Sequence, residues 1–285
     1  MSDSPSQHGI EAEEWAGRMG QTWLDHLTAF EGMISPIGAA LMAHADFKPG
    51  ERVIDIGSGG GDSSIAIARR VGPEGSVLGI DISPVLVEAS DKRAREVGLA
   101  NVRFMAADAS TAKSDAAPFD RLHSRFGVMF FEDMDKAFAN LHGLIRPGGR
   151  ADMAVWAPAS DNGWIALMMQ IVARHVEMPP AVPRAPGPFA LAETDYLTGI
   201  LERAGFKDIS VTRWQGDQLV GGIGATPRAA ARFVLDAMAF GAALKEKPAA
   251  VREQVEEELT ALFDQHHGPN GVAMPASAWL ATALA

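Results

Sequence analysis

The run Val53-Ile54-Asp55-Ile56-Gly57-Ser58-Gly59-Gly60-Gly61 decides how the rest of the chain is read. A short apolar stretch interrupted by one acid and closed by glycines reads as a buried strand that ends in a tight turn. The helical run from Asp62 to Arg70 follows at once. Glycines at such a βα turn let the backbone bend sharply and approach a ligand at a distance that a Cβ would forbid. Taken alone, the pattern is also plain turn chemistry, so its neighbours carry the decision.

Outward from the turn, strand-like runs alternate with helical ones. VLGID (77–81) precedes a helix with Ser83 as its N-cap and Pro84 as its first residue, closed near Gly98, and VRFMAAD (102–108) follows. RLHSRF (121–126) leads to a helix through Leu144 that stops at Arg146-Pro147-Gly148-Gly149, before ADMAVWA (151–157). This alternation predicts an α/β fold with a doubly wound parallel sheet covered on both faces by helices. Upstream, Trp15, Met19, Trp23, Leu27, Phe30, Ile34, Ile37 and Leu41 recur at spacings of three and four, which predicts amphipathic helices over 11–45.

Downstream of Trp156 the rhythm breaks. A helical pattern at 164–176 and a proline-rich stretch at 179–189 read as an inserted lid, since a long irregular connection inside a compact domain is usually functional or disordered. A helix at 195–204, a strand at 207–214, helical patterns at 227–240 and 249–263, and a closing strand from Gly271 complete the chain. The expected organisation is an N-terminal helical cap (1–45), a ligand-binding core (46–158), a lid (159–190) and a C-terminal part of the sheet with inserted helices (191–285). The polar N-terminal tail reads as disordered.

Composition narrows the chemistry. With 285 residues, 47% of them apolar, the chain can bury a sizeable core. The net charge of −11, without any basic run, argues against nucleic acid. Cysteine is absent, which excludes disulfides, thiolate metal sites and thiol nucleophiles. No signal-peptide pattern and no apolar run of membrane-spanning length is found, so a cytoplasmic location is expected. His266 and His267 lack a third ligand, and no metal is expected.

Acids at strand ends specify the ligand. Asp81 ends the second strand, where a carboxylate can accept both hydroxyl hydrogens of a ribose, and Asp108 stands where it can meet the amino edge of an adenine. A nicotinamide dinucleotide shares the first acid and the first glycines, so an NAD(P)-binding oxidoreductase is the competing reading. That fingerprint, however, wants its third glycine where Asp62 stands, and an acid at the helix start would repel a pyrophosphate. A cationic sulfonium tolerates nearby acids, and Asp55 suits its ammonium group, directly or through water. The ligand these residues describe is an adenosine that carries positive charge.

DIGSGGG (55–61), GIDIS (79–83), AAD (106–108), FDRLHSRFGVMFFED (119–133) and LIRPGGR (144–150) occur in an order that resembles the class I S-adenosylmethionine-dependent methyltransferases, in particular the bacterial small-molecule group related to ubiquinone and menaquinone C-methyltransferases. The resemblance implies a seven-stranded sheet with its last strand antiparallel and S-adenosylmethionine lying across the strand ends. It places Asp55, Gly57, Ser58, Gly59 and Gly61 at the cofactor turn and Asp81 on the ribose. Ile82 and Ala109 would border the adenine, Asp108 would meet its amino group, Ala107 would belong to the cofactor site, and Ser124 or Arg125 would face the methionyl end. Related enzymes also fold an N-terminal helix over the cofactor, a role open to Trp15 and Trp23 beside plain core packing.

Some subclasses fall on residues. Amino-directed nucleic-acid enzymes carry an Asp/Asn-Pro-Pro-aromatic motif where this chain has Ser124-Arg125-Phe126-Gly127. Near the fourth strand, Asp120 is at the wrong end for a catechol-type metal site.

Methyl transfer from a sulfonium needs little covalent help, so positioning and desolvation can supply most of the acceleration. His123 and Arg125, on one face of a strand by two-residue alternation, are the catalytic candidates, with a packed mid-strand histidine as the alternative for His123. Met129, Phe130, Phe131, Trp156, Trp164, Met168 and Met169 form either ordinary core or an apolar acceptor pocket. In the second case Met129, Phe130, Trp156, Trp164 and Met168 line it, and the acceptor is a small lipophilic molecule such as a phenol, quinol or isoprenoid, methylated on O or C. A cofactor-binding protein without turnover stays open as another class, and so does the oligomeric state, a homodimer included.

Overall fold

The computed structural model describes residues 12–178, 180 and 182–285. The N-terminal tail (1–11), together with Pro179 and Ala181 of the proline-rich stretch, lies outside the described residues. The described residues begin with α1 (Ala12–Glu14), a π turn (Trp15–Met19) broken at Gly17, α2 (Gly20–Asp25) and α3 (Leu27–Ala45). In α3 the buried residues Phe30, Met33, Ile34, Ile37, Leu41 and Ala45 fall on one stripe at helical spacing, which is why this segment packs as a helix despite Pro36 inside it.

β1 (Arg52–Ile56), α4 (Asp62–Val71), β2 (Ser76–Asp81), α5 (Pro84–Glu96), β3 (Val102–Ala106), β4 (Phe119–Arg125), α6 (Met134–Gly143) and β5 (Ile145–Trp156) follow in the alternation read from the sequence. α7 (Gly163–Val172), α8 (Thr194–Arg203), β6 (Lys207–Val220), α9 (Pro227–Ala237), α10 (Ala239–Leu244), α11 (Ala249–Asp264), β7 (His267–Gly268) and β8 (Gly271–Leu284) complete the chain.

The sheet runs β3-β2-β1-β4-β5-β8-β6, with β7 paired to β8. The first five strands pair in parallel, and β8 is antiparallel to both β5 and β6. From β1 the order runs one way to β3, and from β4 it runs the other way to β5. Right-handed crossovers therefore put α4 and α5 on one face and α6 on the other. The contacts of α3 with α4, and of α6 with α8, extend these two layers. The reversal between β1 and β4 opens a crevice at their carboxyl ends, where sheets of this kind bind ligands.

Five departures from the sequence reading have local causes. The sheet has eight strands instead of seven, because the two-residue β7 folds back on β8. β6 continues past Trp214 to Val220, since its partner β8 is long enough to pair as far as Val272. β3 ends at Ala106, so Asp108 lies in the turn beyond it. The helix read at 227–240 breaks at Met238, whose backbone is extended, and becomes α9 and α10. The helix read at 164–176 ends at Val172.

Buried apolar residues of β1 and β4 (Ile54, Ile56, Leu122) join the stripe of α3 and much of the C-terminal part in one large core, while α4 and β2 share a smaller one. Each such side chain contributes roughly 1.5–3 kcal/mol by leaving water. α7 belongs to the large core through Trp164, Ile165, Met168, Ile171 and Val172. Asn162, fully buried, fixes its start: its Nδ2 donates to the carbonyls of Ala157 and Pro158, while its Oδ1 accepts from Trp164 Nε1 and from Ser277 N. Among the described residues no helix is long and apolar enough to cross a membrane.

Candidate cofactor site

The turn after β1 is built by backbone hydrogen bonds from β2. Gly57 N and Ser58 N both donate to the Ile80 carbonyl, at 2.8 and 3.0 Å, and Gly61 N closes the turn onto the Ser58 carbonyl at 2.9 Å. Gly57 has a φ of +68°, and a Cβ there would stand 2.6 Å from Gly127 Cα, so the ends of β1 and β4 approach as closely as they do only because both residues lack side chains. Gly127 is a site residue that sequence reading passed over. Ser90, from α5, also secures the turn by donating to the Gly59 carbonyl at 2.7 Å.

Asp81 joins this turn to the end of β2. Its Oδ2 accepts from Gly59 N at 2.8 Å and its Oδ1 from Ser83 N at 2.9 Å. The residue is only 9% exposed, and burial raises its carboxyl above the ordinary carboxylate range although those two N–H groups pull the other way. A carboxylate offers about four lone-pair positions. Two are used, and hydroxyl donors can take the others. Beyond β3, Ala107 N donates to the Asp81 carbonyl at 2.9 Å. Ala109 is buried, Ile82 is half-buried, and Asp108 is exposed with its carboxylate accepting from Ser110 N and Oγ. Asn140 of α6 holds this loop from behind through the carbonyls of Ala109 and Ala112.

Beneath the turn lies a polar cluster. Asp55 is fully buried, and its carboxylate is shared between His123 Nδ1 at 2.8 Å and Ser64 Oγ at 2.6 Å. His123 is therefore a packed strand residue, 1% exposed, and its Nε2 has no protein partner beside a cavity of about 180 Å³ between α3 and α4. Arg125 points to the same side, lies across Gly38 of α3, and pairs with Asp62 at 3.0 Å. Ser124 faces the other way and donates to the Ile56 carbonyl at 2.9 Å. Among the described residues no group of three His, Asp or Glu side chains is placed to hold a metal.

The N-terminal helices cover the turn. Leu27 packs on Gly60, Trp23 Nε1 lies 3.7 Å from where a Cβ of Gly59 would be, and Gly20 sits against the Ser83 hydroxyl. Helical spacing leaves Trp15 and Trp23 open to core packing, and nothing in it indicates that the Trp23 indole meets the turn. Ser83 occupies the N-cap of α5 as expected, yet its hydroxyl makes no cap bond.

Under this cap the hydroxyls of Ser58 and Ser83 and the indole N–H groups of Trp15 and Trp23 are buried without a hydrogen-bond partner. An unsatisfied buried polar group costs about 1–3 kcal/mol. Ser58 lies in the turn, Ser83 follows Asp81 and Trp23 stands over Gly59, which is the chemistry of a site for a polar ligand with both donors and acceptors, and an adenosine bearing an amino-acid end fits that description.

The apolar cluster read from the sequence is also brought together, beyond the ends of β4 and β5. Phe126 stacks on Trp156 at 4.3 Å between ring centroids, and Trp156 meets Trp164 at 5.4 Å. Trp156 N lies 3.5 Å from Met129 Sδ, and Met168 is fully buried. Phe130 packs edge-on against Trp15 at 4.9 Å, so this cluster and the cap are continuous. Met169 stands apart, 38% exposed on the outer side of α7.

The fold and this site together define a class I methyltransferase architecture. Residues 47–177 match the family model described as a methyltransferase domain. Aklanonic acid methyltransferase DauC from Streptomyces sp. (strain C5) is 38% identical over 116 residues, which are 41% of this chain and 53% of that protein. The ubiquinone/menaquinone biosynthesis C-methyltransferase UbiE of Idiomarina loihiensis is 36% identical over 104 residues, covering 36% and 41% of the two chains. The chain spans about half the length of the curated relatives it matches. Among solved structures, the [4+2]-cyclase SpnF superposes with a TM-score of 0.58 at 16% identity over 97% of this chain and 98% of that one, a likeness of fold.

Proposed function

We propose that this chain transfers a methyl group from S-adenosylmethionine to the oxygen or carbon of a small lipophilic molecule. The observation that carries the reading is Asp81: a buried carboxylate with lone pairs to spare, tied to a glycine turn at the switch point of a doubly wound sheet. When bound, the cofactor supplies an electrophilic methyl group on a sulfonium. Gly57, Ser58, Gly59 and Gly61 would lie along it, Asp81 would hold its ribose hydroxyls, and Ile82, Ala107, Asp108 and Ala109 would border its adenine. Asp55 would act from beneath the turn through its charge, because both of its oxygens are already engaged. Ser124 and Arg125 would flank the methionyl end.

Met129, Phe130, Trp156, Trp164 and Met168 would exclude water from the acceptor and hold it in line, with segment 159–190 as the wall that governs access. Aromatic and methionine side chains suit an apolar acceptor of variable shape. The relatives named for aklanonic acid and quinone methylation support a small-molecule acceptor, and the net charge of −11 supports it over nucleic acid. His123 is buried with its Nδ1 committed to Asp55, so we assign no general base to it.

Calorimetry tests the reading. S-adenosylhomocysteine should bind at micromolar strength with no measurable binding of NAD, and the reverse result would return the chain to the oxidoreductases. Screening phenols and quinols for methyl transfer separates an enzyme from a cofactor-binding protein without turnover.

A further inference from the structure

Gln218, near the carboxyl end of β6, is fully buried, and neither the oxygen nor the nitrogen of its amide has a protein partner. Among the described residues it is the one side chain with two such atoms. Its neighbours on the sheet are apolar. Gln218 stands opposite Met274 of β8, and Val220 stands opposite Val272; those three are fully buried members of the large core. An amide in such surroundings keeps the cost of leaving water unless a group that it can bind arrives.

Strand register places this amide. Opposed residues of an antiparallel pair share a face, as do alternate residues along one strand. Met274, Ala276 and Ala278 therefore look to one side, together with Gln218 and with Trp156, which stands opposite Ala278. β6 runs parallel to β5, since both are antiparallel to β8, so its carboxyl end lies on the crevice side of the sheet. β5 stops at Trp156, level with Ala278, whereas β6 and β8 stay paired to Met274 and beyond, about 13 Å farther at 3.3 Å per residue. Gln218 is thus carried on a ribbon that overhangs the ligand end, on the face that bears Trp156.

The glycine turn is distant. β6 is four strands from β1, about 19 Å at 4.8 Å per strand, and Asp81 on β2 is farther still. The apolar cluster beyond β4 and β5 lies between them in the strand order. A lipophilic molecule held there with one end at the turn brings its other end toward Gln218. A primary amide offers a donor and an acceptor side by side. Both are free, so whichever end is oxygen, the complement is a group that donates and accepts at once. It is also neutral, because a charge would be left uncompensated in this apolar setting.

We infer that Gln218 binds the end of the methyl acceptor remote from the methylated atom, and that this end carries a hydroxyl beside a carbonyl. This rests on the proposed methyl transfer to a lipophilic small molecule.

Calorimetry on the chain saturated with S-adenosylhomocysteine tests the assignment with three probes. 1-Hydroxy-2-acetonaphthone has the hydroxyl and carbonyl together, 1-naphthol lacks the carbonyl, and 2-acetonaphthone lacks the hydroxyl. The first should bind at least about tenfold more tightly than either of the others, the scale of one hydrogen bond made or left unmade. Gln218→Met keeps the length of the side chain and removes the amide. It should abolish that preference, leave S-adenosylhomocysteine affinity within about twofold, and hold or raise the melting temperature, because an unpaired buried amide is gone. Equal binding of the three probes, no binding of the hydroxyketone, or a preference that survives in Gln218→Met would each overturn the inference. Should the variant fold poorly, ¹⁵N-edited NMR of the unsubstituted chain decides: the side-chain amide signals of Gln218 should shift when the hydroxyketone is added, and unmoved signals would refute its role. Failure of the unsubstituted chain to bind S-adenosylhomocysteine would instead strike the proposed function itself.

Discussion

Asp81→Asn separates the structural duty of this carboxylate from its duty to the ligand. In the folded chain its oxygens accept from Gly59 N and Ser83 N at 2.8 and 2.9 Å. An amide keeps one acceptor and turns its NH₂ toward the other N–H, so one charge-assisted bond of about 1.5–3 kcal/mol is lost and a donor is orphaned. Against this, the substitution removes a buried charge whose desolvation already outweighs its two backbone donors. The net expectation is a loss of about 1–2 kcal/mol, seen in a thermal melt as a fall of roughly 3–6 °C.

Affinity for S-adenosylhomocysteine should fall further, by about 1.5–3 kcal/mol or ten- to hundredfold, since hydroxyl donors meet an amide in place of a carboxylate. The pH dependence has a definite sign. Burial holds the folded-state carboxyl above its unfolded value, so this group's contribution to stability is full at pH below the unfolded value and is lost as pH rises through the raised one. Ligand hydroxyls need the ionised form, so affinity should weaken as pH falls through that same raised value, and Asp81→Asn should bind without this dependence. A melting temperature that falls while affinity stays unchanged would show that Asp81 serves the turn alone and that the ribose lies elsewhere.

Three further outcomes are expected. Gly57→Ala forces a side chain into a positive-φ position against Gly127 and should destabilise the fold by at least about 2 kcal/mol in urea unfolding, whereas an unchanged midpoint would deny the close approach of β1 and β4. Asn162→Ala removes the acceptor shared by Trp164 Nε1 and Ser277 N and two donated bonds, so a loss of roughly 3–4 kcal/mol is expected in the same assay, and less than about 1 kcal/mol would mean that α7 docks by apolar packing alone. Methyl transfer, once an acceptor is in hand, should survive exhaustive chelation, and loss on chelation with rescue by Mg²⁺ would reveal a metal role.

Much of the site was legible because it is local. The glycine turn, Asp81 at the end of β2, Ser83-Pro84 at the start of α5 and the alternation of strands with helices are set within a few residues, by turn chemistry and capping. The division of β6 and β8 was less so, since the end of an edge strand depends on the length of its partner. The pairing of Asp55 with His123 spans 68 residues and that of Asn162 with Ser277 spans 115, and neither leaves a mark on periodicity. The aromatic residues at 15 and 23 show the same limit: their spacing reports a buried helix face and is silent on what that face covers.

By itself the sequence determined a doubly wound α/β core, a glycine turn with acids at the following strand ends, and the absence of thiol chemistry. These follow from backbone sterics, hydrophobic alternation and residue type, which act over short stretches of chain. Only the tertiary structure decided that Asp55 is committed to His123 and Ser64, that Arg125 pairs with Asp62, that α7 is part of the core, and that the indole donors of Trp15 and Trp23 are buried without a protein partner. Those outcomes depend on which distant segments are folded against one another, because burial fixes whether a polar atom finds water, a protein partner or a ligand.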